Sequence, residues 1–221
     1  MPTSILLLSL LLTGCASTAS TDPTGTPSAP AATDRPTPDT TPTTTTTPES
    51  AGELIVTLDA VEYRQDGRTE VLAFDQPGPL VALIEQLTGQ PAVRKDIEDP
   101  WGNGDVYGTD FTWTSVSISS FDQGPMWVTF LSPMVGDANL KTAEGIAVGS
   151  TLDEVIAAGG WGEWDGDGDG LADSINLGMR EVPETNSLSR PGEVGAEFID
   201  LSLSGDTVDR ISSPSNDFSD L

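Results

Sequence analysis

The chain has no histidine, one cysteine (Cys15) and two tyrosines among 221 residues, and its only lysines are Lys95 and Lys141. Without histidine, Ser-His-Asp and Cys-His catalysis and every imidazole-ligated metal are excluded. A lone cysteine leaves no disulfide within the chain. Cations are scarce: nine Lys+Arg stand against 35 Asp+Glu, for a formal net charge of -26. That balance argues against nucleic acid, which is held by clustered cations, and against electrostatic adhesion to anionic lipid. The longest apolar run, residues 5–12 (ILLLSLLL), has eight residues. A bilayer span needs about 20.

What is present is enough for a folded domain. From residue 51 onward, Leu, Ile, Val and Phe number 44 of 171, about a quarter and above the level at which high charge implies disorder. The length fits one ordinary domain plus tails.

The apolar run at 5–12 has the length of a signal-peptide h-region, and Leu12-Thr13-Gly14-Cys15 follows it directly. This tetrapeptide resembles the lipobox of bacterial lipoproteins. The resemblance implies a signal peptide over 1–14, a diacylglyceryl thioether on Cys15 and cleavage just before it. The protein is then expected at the cell membrane, anchored by lipid on the extracytoplasmic face. The four residues before the run (MPTS) depart from the pattern, since they carry no basic charge. Residues 15–50 are mostly Thr, Pro, Ala, Ser and Asp with no apolar periodicity. Such a segment cannot recover the entropy of ordering, and reads as a disordered tether reaching on the order of 100 Å when extended.

Residue 53 opens a different pattern. Apolar alternation over 54–61 predicts a strand, Asp66-Gly67 a tight hairpin turn, and 69–74 a returning strand. Leu80, Leu83, Ile84 and Leu87 have helical spacing, with Pro79 at the start and Gly89 at the exit. Strands are expected at 111–119 and 126–131. A second helix over 151–158, capped by Ser150, carries Leu152, Val155 and Ile156. Strands at 174–180, 196–203 and 207–211 follow, the last two joined at Gly205-Asp206. The order resembles a duplication with halves 51–135 and 140–213 inside one domain, 51–221.

Residues 145–155 (GIAVGSTLDEV) and 199–211 (IDLSLSGDTVDRI) are similar to the small outer-membrane-assembly lipoproteins and β-lactamase-inhibitor-like domains. The resemblance implies an α+β fold, an antiparallel sheet with helices on one face, in two tandem helix-plus-strands units. It also implies binding or scaffolding without catalysis, and it carries no binding residue over.

The sharpest local feature is residues 165–173 (DGDGDGLAD). Asp165, Asp167, Asp169 and Asp173 occupy positions 1, 3, 5 and 9 of a calcium-loop pattern, Gly170 position 6, and the Leu171 carbonyl position 7. Carboxylates about 5 Å apart repel by roughly 3 kcal/mol at an effective dielectric near 20, so a cation is needed to gather them. Position 12 is Asn176 rather than Glu, and a strand is expected where a calcium-binding helical hand has its exiting helix. The plainer alternative is an Asp-Gly turn with diffuse counterions. Trp161 and Trp164 flank the loop and Trp101 opens the corresponding earlier stretch; they offer a ligand surface or, alternatively, cover the core edge.

The expected function is a lipid-anchored binding domain with a weak calcium site, not an enzyme. Its expected partners are a basic envelope or secreted protein, favoured by long-range steering, or a wall glycan. Two alternatives stand beside it: a direct inhibitor of a secreted enzyme, and a glycan hydrolase working with two carboxylates.

Overall fold

A computed structural model describes residues 51–98 and 104–218. The expected signal peptide and tether, Cys15 and Trp101 lie outside the described residues.

Alternation over 54–61 yields two strands rather than one, β1 (Glu53–Val56) and β2 (Ala60–Gln65). Thr57 makes the break: its hydroxyl donates to the Ala60 carbonyl at 2.9 Å and accepts the Ala60 N–H at 3.1 Å. Asp66 and Gly67 then take φ of 51° and 74°, the left-handed pair that a two-residue hairpin demands. They lead into β3 (Arg68–Ala73). The first helix, α1 (Pro77–Thr88), ends at Gly89 with φ 65°, where a side chain would be strained.

A meander follows: β4 (Val93–Glu98), β5 (Val106–Thr112), β6 (Val116–Phe121) and β7 (Trp127–Phe130), each antiparallel to the next. After β8 (Met134–Val135) and β9 (Ala138–Thr142) comes the short α2 (Leu152–Ala157). Thr151, not Ser150, caps it: Glu154 N–H donates to Thr151 Oγ1 at 3.3 Å and Thr151 N–H donates to Glu154 Oε2 at 2.7 Å. This reciprocal pair satisfies two donors that a helix start leaves open. A second meander then runs through β10 (Trp161–Trp164), β11 (Ser174–Glu181), β12 (Ala196–Ser204) and β13 (Thr207–Asn216).

The strands form two sheets, ordered β3-β2-β1-β9-β8 and β10-β11-β12-β13-β7-β6-β5-β4. Neighbours are antiparallel except β1 and β9, which run parallel. The two meanders join where β13 pairs with β7, Ile211 opposite Phe130 and Ser213 opposite Val128. One continuous hydrophobic cluster draws on both sheets, including Leu54, Val61, Leu72 and Leu140 from the first and Ile118, Phe130, Ile175, Leu201 and Ile211 from the second. α1 lies against β3, β6 and β8 and adds Leu80, Val81, Leu83 and Ile84 to the core.

These observations overturn the α+β expectation. Strand makes up 48% of the structure and helix 11%, so the fold is β-rich and not a sheet with helices layered on one face. The physical reasons lie in strand pairing as much as in local pattern. The expected strand 111–119 is two, β5 and β6, broken at 113–115, and four further strands, β4, β8, β9 and β10, appear. In β4 every residue but Ile97 is exposed, so no buried face marks it, and β9 alternates over only five residues. α2 has six residues and buries only Val155, leaving Ile156 46% exposed, so it presents no apolar face to a sheet.

A candidate metal centre and the groove beside it

The acidic segment is the hairpin loop between β10 and β11. Its base is closed by Asp173 N–H donating to the Trp164 carbonyl at 2.7 Å. Inside, carboxylates organise the backbone. Asp165 accepts the N–H of Gly168 at 2.6 Å and of Gly170 at 2.9 Å, and Asp173 accepts that of Gly166 at 2.7 Å. Gly168 and Gly170 have φ of 76° and 89°, which residues with a Cβ rarely adopt.

The result is convergence. One oxygen each from Asp165, Asp167 and Asp173 lie within 4.8 Å of one another. Oxygens that share a calcium ion at 2.3–2.6 Å can be at most about 5 Å apart. The spacing and the hard oxygen donors therefore fit such a cation. Asp169, predicted as a fourth carboxylate ligand, is not brought into this cluster; its Oδ1 instead accepts the Leu171 N–H at 2.8 Å. Leu171 is exposed. β11 leaves the loop as the expected strand.

The two described tryptophans have different roles. Trp161 Nε1 donates to the Gly178 carbonyl at 2.9 Å, its ring meets Phe198 edge-on at 5.5 Å, and the Arg190 guanidinium lies 5.3 Å from its ring centre. These contacts make it a structural residue rather than an open ligand surface. Trp164 is 62% exposed. One side of its ring rests on Gly166, where any Cβ would overlap the indole.

Trp164 and Asp173 also wall an open groove of about 620 Å³. β10 contributes Trp164, β11 Ser174, β12 Asp200 and Ser202, and β13 Asp209 and Arg210. Register brings them together, since Trp164 pairs with Ser174, Ser174 with Ser202, and Ser202 with Arg210. Arg210 is held to one wall by Nε and Nη2, which donate to Ser202 Oγ at 3.0 and 2.6 Å. Burial pushes the Asp200 carboxyl above its ordinary value, against the Arg210 charge and the Ser202 hydroxyl, which favour ionisation. Sequence reading missed Asp200, Asp209 and Arg210. Asp200 and Ser202 alternate with Ile199, Leu201 and Leu203, which marks them as facing away from the core, but only strand pairing sets them beside Trp164.

The raised Asp200 carboxyl has a thermodynamic consequence. A carboxyl whose folded pKa exceeds its unfolded one adds stability below the unfolded pKa and loses it as pH rises through the folded value. Asp200→Asn is expected to raise the melting temperature at pH 7. The gain should vanish below about pH 3.9, where aspartate is neutral in both states; a pH series of thermal melts checks it.

Compared with family models, curated proteins and solved structures, the chain matches none.

Proposed function

We propose that the protein is a lipid-anchored, extracytoplasmic binding domain without catalytic activity, whose 165–173 loop takes calcium. The observation that carries this reading is the convergence of Asp165, Asp167 and Asp173 beside the exposed Trp164. Three mutually repelling carboxylates, gathered by backbone N–H groups beside an exposed aromatic, form a loop that a bound cation would stiffen further. The affinity expected is that of extracellular modules, about 0.1–1 mM. At about 1 mM calcium this adds only about 0.4–1.4 kcal/mol of stability. The ion orders the loop and the fold stands without it. A net charge of -26 steers basic proteins toward the domain and repels acidic ones.

The anchor rests on the 5–12 apolar run and Leu12-Thr13-Gly14-Cys15. Cys15→Ser is expected to move the protein from the membrane fraction to the soluble extracytoplasmic fraction. Membrane retention of that variant would remove the lipid anchor from the account.

A glycan hydrolase is the second reading, favoured by the upward-shifted Asp200 in a groove with Asp173 and Asp209. Turnover of cell-wall glycans by the parent, lost in Asp200→Asn, would replace the binding reading with that one.

A further inference from the structure

Resting on the reading of a binding domain, we propose that the groove at the loop receives a lysine or arginine side chain of a basic partner protein, its cation against the Trp164 ring and the carboxylates of Asp173, Asp200 and Asp209. The groove is an open surface feature of about 620 Å³, wide enough for a long side chain entering from solvent. Its chemistry is one-sided. Three carboxylates face one guanidinium, and Arg210 is already committed to Ser202 Oγ through two donors. The groove is therefore net negative, a charge that an incoming ammonium or guanidinium offsets while donating its N–H groups. Asp200 is half-buried and, although the Arg210 charge and the Ser202 hydroxyl favour its ionised form, it forms no ion pair within 4 Å among the described residues, so an incoming cation would add the close partner it lacks.

Trp164 supplies the second element. Trp164 lines the groove, is 62% exposed and has Gly166 against the outer atoms of its ring, and tryptophan is the best aromatic partner for a cation. A neutral sugar also stacks on indole and its hydroxyls donate to carboxylates, but it brings no charge to offset the negative charge of the groove. Asp173 belongs to both the metal cluster and the groove wall. Calcium, by fixing the loop that carries Trp164 and Asp173, holds that wall in place for the ligand.

The test uses the full chain with tetralysine as probe and chitotetraose as the neutral comparator, followed by calorimetry at low salt with calcium and with chelator. Diffuse attraction to a highly acidic protein is separated from the groove by variants. Trp164→Leu changes no charge, and Asp66→Asn removes one carboxylate at the remote β2–β3 hairpin. The expected result is at least fivefold weaker tetralysine binding for Trp164→Leu and for Asp200→Asn, with less than a twofold change for Asp66→Asn. Equal weakening by Asp200→Asn and Asp66→Asn with no effect of Trp164→Leu would overturn the proposal, leaving only diffuse charge. Chitotetraose binding lost in Trp164→Leu, without tetralysine binding, would overturn it in favour of a sugar. Either failure alongside intact calcium binding sinks the groove assignment alone, whereas absent calcium binding strikes the parent reading.

Discussion

Phe130→Ala is expected to lower the melting temperature by roughly 6–20 °C. Phe130 has no exposed surface and is among the largest fully buried side chains. It sits on β7 opposite both Val116 of β6 and Ile211 of β13, at the seam between the two meanders. Truncation removes the transfer free energy of a ring and leaves a cavity that the flanking strands cannot close without breaking register. Core Phe→Ala changes cost about 3–5 kcal/mol, and each kcal/mol shifts a domain of this size by about 2–4 °C. Because one hydrophobic cluster spans both sheets, the variant should still unfold in a single transition. A melt that splits in two, or that scarcely moves, would show that the meanders do not share a core.

The second large effect is expected at Asp217, 9% exposed behind β12 and β13. Its carboxylate accepts the Ala196 N–H at 2.6 Å and the hydroxyls of Ser187 and Ser189 at 2.6 and 3.1 Å, and pairs with Arg190 Nη2 at 3.3 Å. Arg190 in turn lies over Trp161 at the base of the acidic hairpin. Burial alone would push this carboxyl up; the donors outweigh it and hold it below its ordinary value. Asp217→Ala leaves the Ala196 N–H and the Ser187 and Ser189 hydroxyls without this acceptor, while Arg190, 31% exposed, keeps Glu193 at 2.8 Å. Leaving a buried donor unsatisfied costs about 1–3 kcal/mol, so a total loss of roughly 3–5 kcal/mol, or about 6–20 °C, is expected.

The sign of the pH effect follows from the lowered value. A depressed carboxyl contributes stability above its unfolded pKa of about 3.9 and loses it as pH falls through the folded one. The parent should therefore lose this contribution in acid. The gap between parent and variant should narrow below about pH 3.9 and not above pH 5. A gap independent of pH would mean that the side chain acts by volume and not by charge.

Much of the local structure was legible in the sequence, and the sheet order was not. Asp66-Gly67, Gly205-Asp206, the Gly89 end of α1 and the strands β11 and β12 follow from turn chemistry and periodicity that act within a few residues, whereas α1 starts at Pro77 rather than Pro79 and β13 runs on to Asn216 beyond the expected 211. β4 was hidden because VRKDIE lies at a sheet edge, where Val93 is 71% exposed and no apolar face is needed. The parallel pairing of β1 with β9 joins distant segments, and no local pattern encodes it. The balance between strand and helix went wrong for the same reason, since four short strands owe their state to neighbours.

The candidate site divides along the same line. The acidic loop could be read because alternating Asp and Gly fix their own geometry through carboxylate-to-backbone bonds. Asp169 is not brought into the cluster, although it accepts the N–H two residues on just as Asp167 does. The groove depends on cross-strand register between β10, β11, β12 and β13. Of the two readings of Trp161, ligand surface or cover for the core edge, its contacts with Gly178, Phe198 and Arg190 favour the second.

Calcium titration calorimetry on the full chain, paired with melts in calcium and in chelator, tests the central claim most directly. The account predicts saturable binding at about 0.1–1 mM, abolished by Asp167→Ala and only weakened by Asp169→Ala, with a small rise in melting temperature. No binding up to several millimolar calcium, or equal loss in the two variants, would contradict the three-carboxylate site on which the proposed function rests.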